Sequence, residues 1–305
     1  MPFELTILGS SSAIPTSERY PTAQVLNVHE RFFLIDCGEG TQIQMRRMKF
    51  KLGRVNRIFI SHLHGDHYFG LVGLISTLSL LVNKNDIHIY AHPELESLIG
   101  GQLGHIKGGM EFNVYFHLLD LTMPSPVFED DKVSVISFPV KHSIPTCGFL
   151  FREKPKLPNI KKRIIEKYGI PIRQIQAIKE GADFITKSGE IIPHSQLTIP
   201  PKKTRSYAFC TDTAYYEPII EIVKNTDLLY HESTYLNDKK EFAGQTLHST
   251  AEQAATIALK ANVKKLVIGH FSNRYKKLDG FLKEARQVFP ETYLATEGEK
   301  FRILY

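Results

Sequence analysis

Ser61-His62-Leu63-His64-Gly65-Asp66-His67 packs four potential metal ligands, His62, His64, Asp66 and His67, into six residues. Side chains at that spacing cannot all lie along one helix face, so they converge only where the backbone turns back, a turn that Gly65 permits. The preceding residues 55–61 (Val-Asn-Arg-Ile-Phe-Ile-Ser) read as a buried strand, which puts the cluster on the loop where that strand ends. Imidazoles with a carboxylate suit zinc, and a loop can serve two adjacent ions where a helix face would serve one. The stretch reads as a metal site.

His-x-His-x-Asp-His is also the signature of the metallo-β-lactamase superfamily, which this chain therefore resembles. The resemblance implies an α/β fold, a four-layer αβ/βα sandwich with metals at one edge between two sheets. It further implies a His, an Asp and a His downstream, each at a strand end. Three segments meet that expectation. Residues 133–140 read as a strand running into His142, Ser206–Cys210 as a short buried strand running into Asp212, and 265–269 as a strand ending in His270. Ligands in α/β folds gather beyond the carboxyl ends of strands, where all three lie.

The chain has 305 residues, 42% of them apolar and 23% charged, enough for a substantial core in one large domain or two small ones. The start, Met-Pro-Phe-Glu-Leu-Thr-Ile-Leu-Gly, reads as a strand entering a turn rather than a signal peptide. The longest apolar stretch, 71–82, is too short to span a bilayer. Three cysteines, Cys37, Cys147 and Cys210, without CxxC spacing argue against a disulfide framework, so a reduced, cytoplasmic chain is expected.

Strand and helix signals alternate through both halves, as in a layered α/β fold. Strands are expected at 4–8, 24–28, 32–36 and 87–90, and helices at 41–48, 69–81 and 93–103. Residues 152–204 break the rhythm with six prolines, and 159–168 is expected to be a short helix capped by Asn159 and stopped at Gly169. The net charge of +6 is local: 152–205 holds thirteen Lys/Arg against five Asp/Glu, which leaves the remainder slightly acidic. A basic segment between two ligand-bearing strands reads as an insertion on a finished core.

Beyond the ligands, the pattern resembles short-form ribonuclease Z, the endonuclease family that removes the 3′ trailer from precursor tRNA. Asp36-Cys37-Gly38-Glu39-Gly40-Thr41-Gln42 matches that family's second motif, and Leu8-Gly9-Ser10 with Ala13-Ile14-Pro15 resembles its opening turn. His231-Glu232-Ser233-Thr234 resembles its His-Glu-Ala-Thr segment, and Leu247-His248-Ser249-Thr250 its His-Ser-Thr segment. Two departures stand out. Pro15-Thr16-Ser17-Glu18-Arg19-Tyr20 lacks the Lys and Asn of the family's Pro-x-Lys-x-Arg-Asn, and Tyr168-Gly169-Ile170-Pro171 lacks its Gly-Pro pair.

The resemblance implies two Zn2+ per subunit and a hydroxide between them as nucleophile. His62, His64 and His142 would hold one ion, Asp66, His67 and His270 the other, with Asp212 bridging. Asp66 would also orient the water, while His248 would act as general acid with Glu232 keeping it protonated. His248 precedes Ser249-Thr250-Ala251-Glu252, a capping-box pattern. Residues 152–204 would be a tRNA-gripping exosite arm, with Lys161, Lys162, Arg163, Lys167 and Lys179 on phosphates. Precursor tRNA, a homodimer, no membrane and no nucleotide cofactor complete the expectation. The competing reading is a hydrolase of small phosphodiesters or lactones on the same fold.

Overall fold

In the strand Arg31–Cys37 both faces are buried, because successive side chains point to opposite sides of the sheet. Phe33 and Ile35 enter one apolar cluster while Leu34 and Cys37 enter another. Ser206–Cys210 repeats the device: Tyr207 and Phe209 face the first cluster, Ala208 and Cys210 a third. Near-continuous apolar runs of this kind require layers on both sides, and the architecture follows from them.

The computed structural model describes residues 1–106 and 110–305, which form two units, Met1–Glu153 with Arg205–Leu304 and Lys154–Thr204 with Tyr305. The larger unit holds two seven-stranded sheets. One runs Lys300–Arg302, Phe3–Gly9, Ala23–Val28, Arg31–Cys37, Val55–Phe59, Ile87–Ala91, Val114–Leu118. The other runs Thr292–Leu294, Leu266–Gly269, Leu228–Glu232, Ser206–Cys210, Cys147–Glu153, Val133–Pro139, Ser125–Glu129. Phe59 stacks on Tyr90 with ring centroids 4.5 Å apart and meets Phe149 and Phe151 of the opposite sheet at 5.4 Å. Each such fully buried ring contributes about 1.5–3 kcal/mol. Helices cover the outer faces: Leu71, Leu74, Ile75 and Leu78 of Gly70–Leu80 on one, and Ala254, Ala255, Ile257 and Ala258 of Ala251–Lys260 on the other. The result is the αβ/βα sandwich.

Several local expectations need correction. Gly65 opens the short helix Gly65–Tyr68 and is not among the glycines of positive φ. A Cβ there would lie 2.2 Å from the ring of Phe69, an exposed side chain that would have to move aside. The capping box falls one residue later than Ser249: Thr250 accepts from Gln253 N, and Gln253 Oε1 accepts from Thr250 N. Asn159 caps no helix, because Asn159 and Ile160 pair with Ile199 and Thr198, and the helix begins at Lys162 after Lys161. It does end at Gly169, whose φ of 59° suits glycine. The smaller unit has its own apolar cluster of Ile170, Ile178, Phe184, Ile192 and Leu197. All three cysteines are free and buried. Among the described residues no helix is long and apolar enough to cross a membrane.

Candidate metal centre

Four strands of the first sheet are parallel, as are four of the second, and their carboxyl ends deliver the polar residues, with His142 added from the antiparallel strand Val133–Pro139. Val55–Phe59 leads to His62 and His64, the latter in extended backbone with φ −73° and ψ 142°. Their imidazoles project together, ring centroids 4.7 Å apart. The turn Gly65–Tyr68 then swings Asp66 and His67 back toward them. Val133–Pro139 leads to His142, Ser206–Cys210 to Asp212, and Leu266–Gly269 to His270.

The structure gathers these residues into two adjoining groups, His62, His64, His142 with Asp212, and Asp66, His67 with His270, and His248 joins Asp212 and His270 in a third that overlaps both. His64 Nδ1 lies 3.0 Å from His62 Nε2 and 3.2 Å from His142 Nε2. Asp212 divides its carboxylate between the groups. Oδ2 is 3.6 Å from His62 Nε2 and 3.7 Å from His142 Nε2, while Oδ1 is 3.3 Å from His67 Nε2 and 3.2 Å from His270 Nε2. Asp66 Oδ2 stands 3.4 Å from His67 Nε2 and 3.6 Å from His270 Nε2. Ligands about 2.1 Å from a tetrahedral ion sit about 3.4 Å from one another, the spacing seen here.

Hydrogen bonds behind the imidazoles set which nitrogen faces inward. His67 Nδ1 donates to Asp36 Oδ2 at 2.7 Å, and His142 Nδ1 to the Leu247 carbonyl at 3.2 Å. Ser61 Oγ donates to Asp36 at 2.9 Å and so accepts from His62 Nδ1 at 3.0 Å. Thr234 Oγ1 donates to Glu232 Oε2 at 2.8 Å and so accepts from His270 Nδ1 at 3.0 Å. Each of these four rings therefore turns its Nε2 inward, and His64 its Nδ1. His67 Nε2 and His270 Nε2 are buried and otherwise unpartnered. Among the described residues, no lysine or arginine pairs with Asp36, Asp66 or Asp212. The donor set, its spacing and its uncompensated carboxylates fit metal cations.

Electrostatics divides the rings. Burial alone would depress the His67 imidazole, yet Asp212, Asp66 and Asp36 raise it well above its ordinary range. His62, buried beside the positive charge of His67, is held well below. The backbone is strained at the same places: Asp36, Asp212 and His270 have φ of 54°, 45° and 60°, as does Leu247 (56°) before His248. Left-handed non-glycine residues cost about 1–3 kcal/mol each and cluster at functional sites.

Beside the ligands, Glu232 Oε1 lies 2.7 Å from His248 Nδ1 and accepts Thr213 N–H, while Oε2 accepts Thr234 N–H. Burial disfavours the His248 charge, but Glu232 overrides it and raises the imidazole to about 9. A cavity of about 570 Å³ opens over His64, Asp66, Asp212, His248 and His270. Sequence reasoning missed Asp36 and Thr234 as supports; a carboxylate ending the apolar run Phe32–Ile35 was the available signal for the first. His231 is buried but outside both groups, its Nδ1 on the Glu232 carbonyl. The remaining histidines join neither group; His29 contacts Glu153, and His88 bonds His117 at 3.0 Å. Of the arm cations, Lys162, Arg163 and Lys167 are exposed, whereas Lys161 and Lys179 are half-buried and Lys161 Nζ donates to the Gln196 carbonyl.

Fold and site together define a metal-dependent hydrolase of the metallo-β-lactamase fold. A family model described as Anti-Pycsar protein Apyc1 matches residues 3–158, a span that ends before Asp212, Glu232, His248 and His270. Full-length likeness lies elsewhere. Ribonuclease Z of Parabacteroides distasonis is 47% identical over 99% of both chains, and that of Porphyromonas gingivalis 43% identical over 97% of both. The crystal structure of human tRNase Z, short form, matches with a TM-score of 0.71 and 28% identity, covering 99% of this chain and 100% of that one. The chain belongs to the ribonuclease Z family.

Proposed function

We infer that this protein is a zinc-dependent endoribonuclease that removes the 3′ trailer from precursor tRNA, leaving a tRNA 3′-hydroxyl. The observation that carries the reading is the His248–Glu232 pair at 2.7 Å beside two ligand groups that share Asp212. The near-full-length ribonuclease Z relatives support the substrate class. Two zinc ions, when bound, would supply an activated water and counter-charge for the reacting phosphate.

The chain's own groups perform the rest. His62, His64 and His142 would hold one ion, Asp66, His67 and His270 the other, and Asp212 would serve both. Asp66 orients the attacking water and accepts its proton. As the bond from phosphorus to the ribose 3′ oxygen breaks, His248 donates a proton to that oxygen, and buried Glu232 keeps the imidazolium formed and aimed. The basic residues of Lys154–Thr204, chiefly Lys161, Lys162, Arg163, Lys167 and Lys179, bind tRNA phosphates. Exposed Leu80, Leu81 and Val82 supply an apolar face for a homodimer.

Incubating zinc-loaded protein with a 3′-extended precursor tRNA and mapping the product ends tests the reading. A single cut leaving a 3′-hydroxyl, lost in His64→Ala, is expected. Hydrolysis of a small phosphodiester or lactone without any cut in tRNA would move the function to the competing class.

A further inference from the structure

One wall of the cavity over the ligands is the 10–21 loop. Ala13, Pro15 and Pro21 line the cavity, and Ala13 N–H donates to Asp66 Oδ2 at 2.8 Å. Ala13 makes that bond from a left-handed backbone, φ 55°, which a free loop would relax. The loop closes at its neck, where Ser10 and Ser11 N–H both donate to the Tyr20 carbonyl at 3.0 and 2.9 Å. Something must keep that neck in place.

Glu297 stands there, half-buried. Its Oε1 accepts Tyr20 N–H at 2.6 Å, and its Oε2 accepts Gln44 Nε2 at 3.1 Å. Gln44 also donates to the Leu8 carbonyl at 2.9 Å, so one carboxylate joins the neck, the end of the strand Phe3–Gly9 and the helix Thr41–Arg47. Behind the loop lies a second cavity of about 530 Å³ lined by Arg19, Arg47, Lys276 and Glu297. Burial pushes the Glu297 carboxyl up to about 7, against the bonds from Tyr20 and Ser10 and the charges of Arg19 and Arg47.

We propose that Glu297 is a positioning residue for the reaction: by fixing the neck of the 10–21 loop it sets the Ala13 N–H on Asp66 and the wall the substrate strand passes. The cleavage-site half of this rests on the tRNA reading; the Asp66 half does not. The test compares Glu297→Ala and Glu297→Gln with the wild type as zinc-loaded full chains. Metal content, melting temperature, turnover of bis(p-nitrophenyl) phosphate and product ends from 3′-extended precursor tRNA are measured.

With metal content unchanged, kcat on the small ester falls about 10-fold in the alanine variant and less in glutamine, which keeps one acceptor for Tyr20, while KM stays within about 2-fold. On precursor tRNA the alanine variant also cuts at neighbouring phosphates. Ester turnover within about 2-fold of wild type in Glu297→Ala overturns the proposal. So does a loss that vanishes once turnover is divided by the metal-loaded, folded fraction, since that marks a merely structural role. Wild type that hydrolyses the ester but leaves tRNA whole refutes the tRNA reading alone, and the ester comparison still decides the role of Glu297.

Discussion

Glu232, with no exposed surface, places Oε1 2.7 Å from Nδ1 of His248, an imidazole that lines the open cavity. The carboxylate is itself held by Thr213 N–H, Thr234 N–H and Thr234 Oγ1, so it cannot follow His248 if the latter moves. A proton on His248 is thereby kept where burial would expel it.

His248→Ala is expected to lower kcat for precursor tRNA by about 10²–10⁴-fold with little change in tRNA affinity. In Glu232→Gln the carboxylate that raises His248 is gone, so the alkaline limb of the pH–rate profile moves to lower pH. A profile unmoved by that substitution would remove Glu232 from the role.

Asp36 should act through His67. Asp36→Asn keeps the shape but replaces an anionic acceptor of the Nδ1 proton, which makes Nε2 a poorer donor. Metal affinity is expected to drop about 10–100-fold, read by competition with a chromophoric chelator.

The Glu297 carboxyl predicts a pH-dependent stability with a definite sign. Its folded value, about 7, lies above its ordinary one, so the folded state binds the proton more tightly than the unfolded chain. Its contribution is complete below the unfolded value and is lost as pH rises through 7. Melting of wild type against Glu297→Gln, followed from pH 5 to 8, should shift in favour of the glutamine variant.

Deleting 155–198 should abolish precursor-tRNA cleavage and leave small phosphodiester turnover intact. In the full chain, replacing Lys162, Arg163 and Lys167 by alanine should flatten the dependence of log affinity on log salt by up to about 3. Cleavage and affinity that ignore salt would take tRNA phosphates away from the arm.

Two glycines should respond oppositely. A Cβ on Gly38 would meet the Asp66 carbonyl at 2.5 Å and Pro21 Cβ at 2.6 Å, so Gly38→Ala must displace the metal turn or the loop and lower kcat. Gly104, in the helix Leu95–Ile106, has nothing within 4 Å of such a Cβ. Gly104→Ala should therefore stabilise the protein by about 0.5–1 kcal/mol, measured by denaturant titration.

Eight of the eighteen described strands were legible because each is a short apolar run bounded by turn residues, and Ser206–Cys210 coincides with its expected span, whereas Leu228–Glu232, Cys147–Glu153 and the short edge strands were not. The residues of the candidate metal groups were legible because imidazoles at strand ends stand out against such runs. The supports were not. Thr234 on His270 and Ala13 N–H on Asp66 join residues 36 and 53 apart, one through a hydroxyl common in loops and one through a backbone amide that nearly every residue carries, so no local pattern of residue types reveals them. The misplaced caps at Asn159 and Ser249 have a different cause, since strand pairing and a neighbouring Thr–Gln pair outcompeted a local propensity.

The strands Cys147–Glu153 and Ser206–Cys210 are antiparallel neighbours, and Arg205 meets Glu153 side chain to side chain at 2.6 Å where one ends and the other begins. The insertion between them thus leaves and re-enters at a seam already stitched. Among the described residues no strand of the two seven-stranded sheets takes a neighbour from it, so changing its length costs the sheets only the slowly growing entropy of a longer loop. The cutting edge and the segment 154–204 can accordingly be altered as separate parts, each tuned to its own demand without unravelling the other.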